Sequence, residues 1–278
     1  MNKILYSAPF RKAKALANRA PRAIARLTAS PHDYQTRPPI IVNSLPKSGT
    51  HLLMQVAQAL PGTVQYGSFI AQTPSYSLKE RSVGQVVNRI KSLAPGEIVG
   101  AHIYHNPAVA KAMDDRNALH LFIWRDPRDV LISEAHYLGE MARFHAMHKT
   151  FAAVAGKQDR IRMAIEGVDD RYGDCTKRVG AYMGWRGEHN TTVLRYEELT
   201  DPATQTAHLA RIVTALNNRS GNDLDVQATV QRLIEAIDPE KSHTFHKGGA
   251  EKWRTEMDAD NQRLALKYLK DWLPNEGI

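Results

Sequence analysis

Cysteine is nearly absent from the 278 residues: Cys175 stands alone, which excludes an intrachain disulfide and makes a reducing, cytoplasmic compartment the expectation. Long apolar runs are missing too. No stretch approaches the roughly 18 residues of a membrane-spanning helix, and the N-terminus lacks the uninterrupted apolar core of a secretory signal. The chain is therefore expected to be soluble, or to meet a membrane only at its surface. Acidic side chains are scarce in one place. Residues 1–37 contain a single acid, Asp33, against eight bases: Lys3, Arg11, Lys12, Lys14, Arg19, Arg22, Arg26 and Arg37. The rest of the chain has 29 basic and 28 acidic side chains, so the formal charge of +8 is almost entirely a property of the tail. A nearly neutral body and a tail poor in aromatics argue against a nucleic-acid partner.

With 42% hydrophobic residues, the chain is long enough for a sizeable core. We divide it into a basic extension, 1–37, and one folded domain, 38–278. In the extension Phe10, Ala13, Ala17, Ala20, Ile24 and Leu27 recur at helical spacing between Arg and Lys residues. Such a segment suits an anionic membrane surface or a second copy of the chain. Ser30 to Pro39, with three prolines, reads as a linker.

The body opens on the apolar, β-branched run Ile40 to Asn43, and a helix is expected over 51–60, ended by Pro61-Gly62. Further strands are expected at 97–101, 119–124 and 191–195, with helical stretches between. This alternation predicts an α/β fold: one domain whose central parallel sheet is flanked by helices.

Between the first strand and the first helix lies Pro46-Lys47-Ser48-Gly49-Thr50-His51. A glycine-containing turn at a helix N-terminus aims backbone N–H groups and the positive end of the dipole at one spot, which suits a phosphate or sulfate group. Lys47 adds a mobile charge. The nucleotide-binding loop with Gly-Lys-Ser/Thr after four residues is a different pattern, since here the Lys precedes the Ser and Gly.

Pro46 to Thr50 resembles the phosphosulfate loop of the sulfotransferases that use 3′-phosphoadenosine 5′-phosphosulfate (PAPS), whose loop reads Pro-Lys-Ser-Gly-Thr-Thr-Trp. His51 replaces the second Thr, and Leu52 replaces an aromatic that stacks on adenine. A second match is Trp124 to Ser133, where Arg125 and Ser133 stand at the family's 3′-phosphate spacing. The third is Phe245 to Trp253: Lys247 and Gly248 fit the family's 3′-phosphate loop, and His246 replaces its Arg. The resemblance spans residues 39–257. It implies a P-loop-like strand-loop-helix, PAPS as cosubstrate, a hydroxyl-bearing acceptor and no metal. Lys47, Ser48, Gly49, Thr50, His51, Arg125, Ser133, His246, Lys247 and Gly248 would hold PAPS, with Lys47 also catalytic.

Transfer to a hydroxyl needs a proton acceptor, and imidazole suits neutral pH. Of 12 histidines, His102 occupies the place of the family's catalytic His, although the family's neighbouring Lys is Gly100 here. His51 and His105 are its competitors. Some glycan sulfotransferases take a Glu from the helix after the loop, but 51–60 contains no acid. His136, His145 and His148 read as surface or acceptor-pocket residues rather than metal ligands. Residues 63–95 and 134–190 are expected to line an acceptor pocket that fits a phenol, a lipid or a sugar. Two rival functions are a nucleotide kinase and a noncatalytic, membrane-associated nucleotide-binding protein.

Overall fold

Alternate residues of the apolar runs point to opposite sides of one sheet, and helices cover both sides. In a computed structural model that describes residues 16–238 and 251–273, five parallel strands lie in the order β2-β3-β1-β4-β5. They are β1 Ile40–Ser44, β2 Phe69–Ala71, β3 Ile98–His102, β4 Leu119–Trp124 and β5 Thr191–Arg195. The longer helices are α1 Arg19–Leu27, α2 Pro31–Thr36, α3 Thr50–Ala59, α4 Val83–Lys91, α5 Pro107–Asp115, α6 Pro127–His136, α7 Lys157–Glu166, α8 Cys175–Met183, α9 Pro202–Ser220, α10 Val226–Ala236 and α11 Ala259–Leu269.

Ile40 and Val42 of β1 join Leu121, Ile123 and Leu194 against Leu53 and Val56 of α3, Leu209 and Ile212 of α9 and Leu233 of α10. Ile41 instead joins Val99 and Phe122 against residues of α4 to α8 and α11. This two-sided burial is why the strands read as unbroken apolar runs. It also separates α3 and α6 onto opposite faces, although they follow adjacent strands, β1 and β4. A crevice opens between the C-terminal ends of strands whose connections diverge in this way.

The expected strands at 119–124 and 191–195 form as read, and the run at 97–101 begins one residue later, so that His102 ends the strand rather than following it. Two elements differ from expectation. β2 is a three-residue edge strand paired to β3, too short to show a period. Where a linker was expected, α2 forms, because Ser30, Pro31 and Asp33 make a capping box with proline in the first turn. The Ser30 side chain accepts from the Asp33 N–H, and Asp33 accepts from the Ser30 N–H.

The basic segment is also tied to the sheet. Glu97, fully buried before β3, accepts Arg22 Nε at 2.7 and 2.9 Å, Ser68 Oγ at 2.5 Å and the Ala94 N–H at 2.9 Å. Arg22 Nη2 also donates to the Ser92 carbonyl at 3.0 Å. A carboxylate so buried requires a cation, and Arg22 supplies it. We predict that Arg22→Met destabilises the fold by about 3 kcal/mol in urea unfolding. Adding Glu97→Gln should recover part of that loss, since a neutral amide still accepts from Ser68 and Ala94. An equal deficit in the double variant would show that the charge of Glu97 is not the cause.

Candidate functional site

The crevice is built on the C-terminal end of β1. Asn43, fully buried, accepts the Ile103 N–H at 2.9 Å and donates to the Ile103 carbonyl at 3.2 Å, so one side chain extends the β1–β3 pairing past the end of the ladder. The same Oδ1 accepts the Ser44 N–H at 3.0 Å. The chain then turns through Leu45 to Gly49, with the Ser48 N–H on the Leu45 carbonyl at 3.2 Å, and enters α3.

Two residues of this turn are left-handed: Lys47 at φ 68° and Gly49 at φ 98°. At Gly49 a side chain is excluded twice, by the backbone conformation and by Tyr196, whose Cδ2 lies 2.6 Å from where a Cβ would stand. Ser48 Oγ is buried and has no hydrogen-bond partner among the described residues. A buried hydroxyl without an acceptor, at the turn where a helix begins, fits an oxyanion group.

Lys47 Nζ rests 4.0 Å from the centre of the Tyr137 ring. Burial pulls its ammonium down to about 8, against an opposing upward effect of Glu134. Glu134 is itself held by Arg178 Nη1 at 2.5 Å, and Arg178 stacks on the Tyr172 ring with Cζ 4.0 Å from its centre.

His102 meets this loop through Ser44. Its Nδ1 is 3.0 Å from the Ser44 carbonyl and 3.1 Å from Ser44 Oγ, which in turn lies 2.6 Å from Thr50 Oγ1. A carbonyl only accepts, so Nδ1 carries the hydrogen and the lone pair of the neutral ring is on Nε2. Phe69 packs against the ring edge-on, with centroids 5.0 Å apart. Burial lowers the imidazole to about 4, partly offset by the Ser44 carbonyl, so the ring is neutral at physiological pH.

Across the crevice, Arg125 follows β4. Its Nη2 donates to Asp129 Oδ2 at 3.0 Å, and its guanidinium lies 4.7 Å from the centre of the Tyr196 ring. Asp129 Oδ1 also accepts the Trp253 N–H at 3.0 Å, while Arg128 stacks on the Trp253 indole at 3.6 Å and pairs with Asp126. Burial raises the Asp129 carboxyl in spite of Arg125. Ser133 stands four residues after Asp129 on α6, one turn further along the same helix face.

Of the expected residues, Lys47, Ser48, Gly49 and Thr50 form one turn, and Ser44 joins that turn to His102 through direct hydrogen bonds. His51 lies in the first turn of α3. His105 is turned elsewhere, with Nε2 2.8 Å from Glu188 and its ring edge-on to Trp185. His136 pairs with Glu140, and His148 Nδ1 bonds the Leu138 carbonyl. His246, Lys247 and Gly248 lie outside the described residues. Sequence reasoning missed Ser44, Tyr137 and Tyr196, whose only signals were their places at strand and helix ends. Gly49→Ala is expected to cost about 2 kcal/mol from the backbone strain and the clash with Tyr196, read as a lower Tm. An unchanged Tm would mean that the turn has another conformation.

The comparisons bear on this arrangement directly. A family model described as "Sulfotransferase domain" matches residues 37–275. No individually curated protein matches the chain. Among solved structures, mouse sulfotransferase SULT7A1 complexed with PAP is similar at 17% identity and TM-score 0.58, covering 86% of this chain and 84% of its own. A retinol dehydratase in complex with androsterone and the inactive cofactor PAP is similar at 18% identity and TM-score 0.58, covering 96% and 87%.

Proposed function

Because the chain belongs to the sulfotransferase domain family, we propose that it transfers the sulfuryl group of PAPS to an acceptor hydroxyl, with His102 as general base. One observation carries the reading: Ser44 joins the turn to the imidazole of His102 through direct hydrogen bonds. When bound, PAPS supplies a sulfuryl group on a phosphate leaving group.

The chain's own residues would do the rest. The backbone N–H groups at the start of α3 and the Ser48 hydroxyl hold the anionic oxygens in place before reaction. Lys47, now over the Tyr137 ring, would supply the positive charge that offsets charge developing on the phosphate leaving group. Arg125 and Ser133 would hold the 3′-phosphate, with His246, Lys247 and Gly248 as the resemblance implies, and Asp129 would fix the orientation of Arg125. His102 takes the acceptor proton on Nε2, and its Nδ1–H donates to the Ser44 carbonyl throughout, which fixes the ring.

The acceptor we infer is an apolar alcohol or phenol. Phe69 packs on His102, and the 72–76 segment continues from it: the Gln72 N–H bonds the His102 carbonyl, and Thr73 meets the Tyr104 hydroxyl at 3.0 Å. Ser75 ties that segment to Ala146, and the two segments expose Tyr76, Met141 and Phe144. Exposed aromatics on paired loops beside a reacting group favour an apolar ligand over a sugar.

Adenosine 3′,5′-bisphosphate should bind more tightly than ADP in calorimetry, whereas a preference for ADP would support a kinase. His102→Ala should retain bisphosphate affinity and lose about 10²- to 10⁴-fold in kcat. Wild-type turnover in that variant would remove His102 from the mechanism. The pH dependence follows from two groups. His102 must be unprotonated, which holds above about pH 4, and Lys47 must be protonated, which is lost as pH rises through about 8. The kcat/KM of the wild type should therefore fall above pH 8, and Lys47→Arg, permanently charged, should remove that fall. A profile that is the same in both would dissociate Lys47 from the alkaline limb.

A further inference from the structure

Helix α1 attaches to the body by its polar side. Asn18 donates to the Tyr66 carbonyl at 3.4 Å, and Arg22 engages Glu97 and Ser92. Its N-cap Asn18 and the helical residues Arg22 and Ala25 are half-covered, and their spacing of four and three marks a single inward stripe. No residue of the helix is buried. Ile24 and Leu27 point the other way, 61% and 77% exposed, with exposed Ala20 on the same side, and Leu16, just before the helix, is 61% exposed. An amphipathic helix in a soluble fold ordinarily buries its apolar side and exposes its charges. Here the order is reversed, and a buried carboxylate holds it so.

Charge selects what covers the outward stripe. Arg19 and Arg26 are exposed on the same helix, the segment 1–37 carries a net +7, and its one acid, Asp33, is already occupied by Arg37 at 2.7 Å. A second copy would bring an equally cationic segment against this one, and nucleic acid would make no use of the leucines and isoleucine. An apolar stripe flanked by arginines matches an anionic lipid surface, in which the chains receive the stripe and the headgroups receive the cations.

We propose that the outward side of α1 is a docking surface for an anionic lipid bilayer. Its position fixes an orientation as well. Arg22 meets the sheet at Glu97, before β3 begins, whereas His102 ends the same strand, about 16 Å further along. The bilayer is therefore bound at the end of the sheet opposite the crevice, and the catalytic groups face water.

Flotation of the full chain with vesicles of phosphatidylcholine and phosphatidylglycerol at 3:1 tests this, with pure phosphatidylcholine vesicles as reference. The chain should float with the anionic vesicles only, and less so in high salt. The double substitution Ile24→Asp and Leu27→Asp, at exposed positions, should leave Tm unchanged and weaken vesicle binding at least tenfold, roughly the loss of two inserted side chains. Leu266→Asp, at an exposed leucine on α11, should bind like the parent. Equal flotation of the double variant and the parent, or no flotation of the parent, would overturn the proposal. So would a parent that sediments as a dimer that the double substitution dissolves, which would give the stripe to a second copy.

Discussion

Asn43 is the residue on which the C-terminal end of the sheet, and the candidate site built there, depends. It lies in the central strand, where both faces are buried and both backbone edges are paired, so an amide there must find its partners locally or incur the full cost of desolvation. It finds them in Ile103 and Ser44. Those bonds hold the residue after β3 against the last residues of β1, and therefore hold His102 against the turn that carries Lys47. The proposed base and the proposed anion-binding loop belong to different strands, yet their relative position is a property of one buried side chain.

The same economy is seen on the other side of the crevice. Asp129 is shared between Arg125 and the backbone of Trp253, so the residues after β4 and the C-terminal segment take their places from a single carboxylate. Tyr196 likewise serves two ends, limiting the space above Gly49 and lying under the Arg125 guanidinium. Each half of the site is built from residues distant in sequence, and a few side chains with two partners each keep the halves in register. Networks of this kind are stable only when every member is satisfied. Ser48 Oγ is a buried member without a partner among the described residues, at the place where an anion would complete the network.

Strands β1, β3 and β4 were legible because burial on both faces leaves an apolar run that needs no period to be read. The loop and Arg125 were read from their resemblance to the sulfotransferase motifs, and their places after strands added weight to that reading. β2 has three residues and one exposed aromatic, which carries no pattern. The segment before β1 was misread because prolines were weighed as breaks, while Ser30-Pro31 with Asp33 is a helix start. Ser44, Tyr137 and Tyr196 could not be read at all. Their roles consist of contacts to His102, Lys47 and Arg125 at separations of 58, 90 and 71 residues, and no local periodicity encodes such contacts.

The ion pair between Arg22 and Glu97 closes a separation of 75 residues. During synthesis at about 5 to 20 residues per second, α1 leaves the ribosome roughly 4 to 15 seconds before the residue that anchors it. For that interval the helix has neither its buried partner nor the sheet behind it, and its apolar stripe and all its cations are presented together. The order of translation thus exposes the basic segment before the body exists, and the docked arrangement is reached only when β3 arrives.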